Sequence, residues 1–173
     1  MQMENNSGEV YVLFVCTGNT CRSVIAQGLF TKMWSAIREQ KPNIRTCSAG
    51  LNTVGGLKAS REALEVLQQD EGLDLREHRS RKITADMVNK AHYILTMTGA
   101  QKEQLLSQFP GAAEKVWVMG EFAYGDSARE VADPFGSGVS NYRLTAAEIK
   151  AALERVVERI FLRWAGKKEN RTE

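Results

Sequence analysis

The run Val10-Tyr-Val-Leu-Phe-Val15, followed at once by Cys16-Thr-Gly-Asn-Thr-Cys-Arg22, constrains this chain more than any other stretch. An unbroken apolar run, without alternation of polar and apolar positions, suits a central parallel strand covered on both faces. From Ser23 the pattern changes, and Ile25, Leu29, Phe30, Met33, Trp34 and Ile37 recur at helical spacing. The strand therefore passes through a short loop, Cys16 to Arg22, into an amphipathic helix.

The same alternation continues along the chain. Ile44 to Ser48 can form a second strand, followed by a loop with Gly50, Gly55 and Gly56 and a helix through Ala63, Leu64 and Leu67 that ends near Gly72. Thr84 can cap a short helix, Tyr93 to Met97 reads as a third strand, Gln101 to Gln108 as a helix and Val116 to Met119 as a fourth strand, with Pro110 marking the break before it. Thr145-Ala-Ala-Glu148 has the form of a capping box, and Ile149, Leu153, Val156, Val157, Ile160, Phe161 and Trp164 line one face of the helix expected after it. Strands alternating with helices predict a three-layer α/β fold: a four-stranded parallel sheet with helices on both faces and ligands at the carboxyl ends of the strands. Residues 10–165 are expected to form one domain, with 1–9 a flexible extension and 166–173 a tail that frays beyond Gly166. Trp34, Trp117 and Trp164 fall at apolar positions and are read as core or shielding residues.

Composition excludes several classes of partner. With 23 Lys and Arg against 21 Asp and Glu, the chain has no basic field for nucleic acid. No apolar run approaches the length of a membrane span, and Met1 to Glu9 is too polar for a secretory signal, so a cytoplasmic location without membrane attachment is expected. The cysteines are Cys16, Cys21 and Cys47, an odd number that argues against a disulfide framework. His78 and His92 stand far from them at no metal-ligand spacing, so neither metal nor cofactor is expected. The sequence does not indicate an oligomeric state.

The chemistry converges on the loop. A tight turn opening a helix aims several backbone N–H groups at one spot, where Gly18 lets the backbone approach closely. Arg22 can place a planar fork of donors on two oxygens of an anion, and the same positive field favours a thiolate on Cys16. A thiolate beneath an anion cradle is a nucleophile aimed at phosphorus. The departing group then needs a proton, and Asp133, in Asp133-Pro134-Phe135, is the candidate donor, biased toward extended geometry by Pro134.

These motifs resemble the low-molecular-weight protein tyrosine phosphatase family, with the phosphotyrosine protein phosphatase I-like fold. The resemblance rests on Val15-Cys-Thr-Gly-Asn-Thr-Cys-Arg-Ser23, Ser48-Ala-Gly50, His78-Arg-Ser-Arg81 with Ile83-Thr84, and Asp133-Pro-Phe-Gly136. It implies Cys16 as the nucleophile forming a cysteinyl-phosphate, Arg22 as the phosphate clamp and Asp133 as general acid, then base. Thr17, Gly18, Asn19, Thr20, Cys21 and Arg22 form the phosphate cradle. Asn19 and Ser23 support the loop, and His78 is a structural partner of Asn19. On the same resemblance Cys21 is a redox guard for Cys16; on the residue alone it is a small buried loop side chain. Cys47 reads as a strand residue.

The loop most resembles the bacterial protein arginine phosphatases. Thr20 stands where tyrosine phosphatases commonly carry a bulky aliphatic residue, and Thr98 where they tend to carry an acidic one. Asn52 falls where family members often set an aromatic wall, and Phe135 adjoins the expected acid. The implied partners are phosphorylated proteins, with phosphoarginine preferred over phosphotyrosine. One alternative is a thioredoxin-linked arsenate reductase, which needs resolving cysteines that Thr96-Met-Thr-Gly99 and the helix beyond do not supply. Another is a non-catalytic phosphate-binding or phosphocarrier module, which would not need both Arg22 and Asp133.

Overall fold

Strand β1 (Glu9–Cys16) alternates its side chains between two cores, which explains why its sequence is apolar without interruption. Val12, Phe14 and Cys16 face one core, together with Ile25, Leu29 and Phe30. Leu13 and Val15 face the other, with Cys47, Ile94 and Val116. The structure is a computed structural model that describes residues 9–169, with side chains described as far as 166. Among the described residues, β1, β2 (Asn43–Gly50), β3 (Tyr93–Thr96) and β4 (Val116–Val118) form one parallel sheet in the order β2-β1-β3-β4. The sequence-based expectation of a three-layer α/β fold holds.

Helix α1 (Arg22–Ala36) packs on the Phe14 side with α2 (Arg61–Glu71), α5 (Met119–Tyr124) and α6 (Val139–Glu169). The opposite face is covered by α3 (Ala85–Lys90), α4 (Gly99–Gln108) and a 3₁₀ helix over Pro110–Lys115. Helix ends are capped by side chains, at Thr84 as expected and also at Ser60. Ser60 accepts from the Ala63 N–H and Thr84 from the Met87 N–H, while Gly72 ends α2 in the left-handed region. Trp34 is buried and stacks on Phe30.

Four expectations need correction. The last strand stops at Val118, and α5 follows it directly, opened by Glu121 accepting from the Val118 N–H. Helix α6 begins at Val139, six residues before the Thr145 capping box; the Gly138 carbonyl already accepts from Asn141 and Tyr142, and Tyr142 and Thr145 are both buried. Burial of that first turn outweighs the local cap signal. Gly166 does not end the helix, which continues to Glu169, with Phe161 and Trp164 in ring contact one turn apart just before it. At the other end, Glu9 already pairs with Asn43, so it belongs to the strand; the rest of the expected extension and residues 170–173 lie outside the described residues.

Candidate active site

The carboxyl end of β1 delivers Cys16 into the turn that opens α1. Parallel pairing brings Cys16 beside Gly50, and Gly50 also bridges Lys82. A Cβ on Gly50 would lie 2.8 Å from the Thr17 carbonyl oxygen and 3.0 Å from the Gly18 carbonyl carbon, so the loop backbone leans directly on this glycine. Within the protein, the tight packing against this turn is made at Gly50. A Cβ on Gly18 would meet only Thr20 Oγ1, at an ordinary 3.5 Å.

Asn19 is buried with φ of 55°, the left-handed region that asparagine tolerates better than most residues. Its side chain spans the loop: Nδ2 donates to Ser23 Oγ at 2.9 Å and Oδ1 accepts from the Arg81 N–H at 2.9 Å. Its carbonyl accepts from His78 Nε2 at 2.8 Å, which fixes the ring tautomer with a proton on Nε2. Burial pushes the His78 pKa below its usual value, the Asn19 hydrogen bond opposes that shift, and Arg81 and Arg79 reinforce it. Ser23 Oγ lies 3.0 Å from Cys16 Sγ, and the Asn19 N–H donates to the same sulfur at 3.3 Å. The sulfur thus has a backbone N–H and a hydroxyl within hydrogen-bonding reach.

Arg22 is buried at the start of α1, where the helix has no side-chain cap. Its Nη1 donates to the Val131 carbonyl at 3.0 Å and its Nη2 to Asp133 Oδ2 at 2.8 Å. Its Nε is buried without a hydrogen-bond partner. A buried, unsatisfied guanidinium nitrogen is costly, and a hydrogen-bond acceptor reaching it would offset that cost. Asp133 is half exposed on its loop, and its other oxygen accepts from the Phe135 N–H at 3.2 Å. Cys16, Thr17, Gly18, Thr20, Cys21, Arg22, Asp133 and Phe135 together line a cleft of about 210 Å³. Clefts of about 360 to 580 Å³ elsewhere on the surface are larger but contain no cysteine.

Comparison with known proteins agrees with this geometry. The family model for low molecular weight phosphotyrosine protein phosphatase matches residues 11–163. The chain belongs to this family. A protein-arginine-phosphatase of Geobacillus stearothermophilus is 33% identical over 149 residues, covering 86% of this chain and 95% of the relative. A probable low molecular weight protein-tyrosine-phosphatase, EpsP, of Ralstonia nicotianae is also 33% identical, over 86% of this chain and 94% of its own. A solved structure of YwlE arginine phosphatase, a variant with a phosphorylated active-site serine, superposes with a TM-score of 0.82 at 32% identity and covers 95% of this chain and 100% of that one. The protein is a phosphatase, a hydrolase in class.

Not every expected specificity residue reaches the cleft of this phosphatase. Thr20 and Phe135 line it, and Phe135 is 76% exposed. Asn52 and Thr98 lie outside the lining. Asn52 Oδ1 accepts from Gln104 Nε2, and Thr98 Oγ1 caps α4 by accepting from the Gln101 N–H. Cys21 Sγ lies 3.1 Å from Tyr142 Oη and donates to Ser60 Oγ at 3.3 Å. Burial, followed by the Cys21 contact, pushes the Tyr142 pKa up to about 12. Sequence reasoning missed Ser60, Tyr142, Val131 and Gln101. Their contacts with the loop span 39 to 121 residues of sequence, and no local pattern announces them.

Among the described residues, no helix is long and apolar enough to cross a membrane, and no three His, Cys, Asp or Glu side chains gather where they could hold a metal ion.

Proposed function

We propose that this phosphatase hydrolyses phosphorylated protein side chains, phosphoarginine ahead of phosphotyrosine, through a cysteinyl-phosphate. The observation that carries the reading is the unpartnered Nε of Arg22, buried in the loop that also holds the Cys16 sulfur. The Cys16 thiolate attacks phosphorus while the bond to the leaving nitrogen or oxygen breaks and Asp133 delivers a proton to that atom. Asp133, now a carboxylate, takes a proton from water. The resulting oxygen nucleophile attacks phosphorus, the S–P bond breaks, and inorganic phosphate leaves with the thiolate restored. In support, Asp133 lines the same cleft as Cys16, with its Oδ2 2.8 Å from Arg22 Nη2.

Identity does not separate the two substrates, because relatives named for arginine and for tyrosine are equally similar. Thr20, at the wall of the cleft, favours phosphoarginine: its hydroxyl offers polar capacity to a guanidinium where an aliphatic side chain would pack an aryl ester. Cys21 is read as an anchor of the loop, since pairing with Cys16 requires its sulfur to leave Ser60 and Tyr142. The test is kcat/KM on phosphoarginine and phosphotyrosine peptides side by side. Wild type should prefer phosphoarginine, Thr20→Ile should move the ratio about tenfold toward phosphotyrosine, and Cys16→Ser should turn over neither. A ratio unchanged by Thr20→Ile refutes the arginine reading, and turnover by Cys16→Ser refutes the nucleophile.

A further inference from the structure

We propose that Gln101, in the first turn of α4, is a positioning residue that sets the width of the oxyanion cradle. This role rests on the phosphatase reading of the loop and goes beyond it to what holds the loop at its working size. Gln101 is 5% exposed, and a neutral amide at that depth is tolerated only when both its ends are bonded. Both are. Oε1 accepts from the Met97 N–H at 3.0 Å, at the end of β3, and Nε2 donates to Thr17 Oγ1 at 3.1 Å.

The chain of bonds continues to the other side of the site. The Met97 carbonyl accepts from the Val131 N–H at 2.9 Å, and the Val131 carbonyl accepts from Arg22 Nη1 at 3.0 Å. A continuous hydrogen-bonded path thus runs from Thr17, the residue after the nucleophile, through Gln101, Met97 and Val131 to the guanidinium fork. These are the two ends of the cradle. From the β2 side, Thr17 is held by its carbonyl, which accepts from the Asn52 N–H at 2.9 Å; from the β3 side it is held by Gln101. An amide suits the position because it donates to the loop without placing a negative charge beside the anion, as a carboxylate of similar reach would. Charge-assisted contacts to an oxyanion are effective over a narrow range near 2.7 to 2.9 Å, so a cradle that drifts wider loses the smaller ion first.

The test uses inorganic phosphate and the larger tetrahedral ion tungstate, with dissociation constants measured for wild type, Gln101→Leu, Thr17→Val and the double variant. Phosphate binding should weaken about fivefold to tenfold in each single variant, with the phosphate-to-tungstate ratio shifting toward tungstate. The double variant should be no worse than either single variant, because both remove one bond. Thr17→Ser keeps the hydroxyl and should restore wild-type ratios. Thr17 is exposed, so its variants still decide the matter if Gln101→Leu does not fold. An unchanged ratio, or losses that multiply in the double variant, overturns the role of Gln101. A wild-type protein that takes up neither ion overturns the proposed reading of the loop as the phosphate site.

Discussion

His78 is placed to make the stability of the loop depend on pH. Its Nε2–H supports the Asn19 carbonyl, and burial lowers its pKa from the usual 6.5. The folded protein therefore keeps the ring neutral over an interval in which the unfolded chain has already bound a proton. Its contribution is complete above about pH 6.5 and is lost as pH falls through the interval below that value. Urea unfolding at pH 7.5 and pH 5 should show wild type weakening on the acid side. His78→Gln, which can still donate to Asn19, should weaken less; equal slopes for the two proteins would mean that another group titrates. The sequence shows the Cys16, Asn19, Arg22, Ser23 and His78 set because its spacing is local or carried by short motifs. It cannot show that Asn19 alone adopts a left-handed angle among the described non-glycine residues, nor that the Arg81 amide, 62 residues away, closes on its side chain.

Strand β2 acts on the site through its last residue. Two of the three nearest atoms to a Cβ on Gly50 belong to the backbone of the Thr17–Gly18 turn, and backbone cannot swing aside as a flexible side chain can. Gly50→Ala should cost about 1 to 3 kcal/mol in urea unfolding and should weaken binding of inorganic phosphate in the protein that remains folded. Wild-type phosphate affinity in that variant would show that the turn does not depend on the strand end. The central elements were legible because burial on both faces leaves an apolar run, and because Thr84 places its helix start by a local hydrogen bond. The start of α6 was not legible. Its first turn is fixed by burying Tyr142 against Cys21, a distant contact, while the more visible Thr145 pattern lies inside the helix. Helix α5 escaped notice for a related reason: a Cβ on Gly120 would come within 2.0 Å of the Arg129 carbonyl oxygen, so that glycine serves close packing with the loop leading to Asp133.

At the scale of the molecule, the two cores each hold a tyrosine with a raised pKa. Tyr142 belongs to the α1–α6 side and Tyr11 packs on the other; both are pushed from 10 to about 12 by burial first, then by contact with Cys21 and Cys47 respectively. The folded state keeps these protons between about pH 10 and 12, where the unfolded chain releases them, so stability is full below pH 10 and declines above it. Replacing both tyrosines with phenylalanine should flatten that alkaline decline in urea midpoints measured from pH 9 upward; a decline of wild-type steepness would place its source elsewhere. The Arg22–Asp133 contact has a further consequence for traffic through the cleft. On the proposed mechanism, an incoming phosphoryl group competes with Asp133 for Arg22 Nη2, while the buried Arg22 Nε offers it a donor for which no side chain contends.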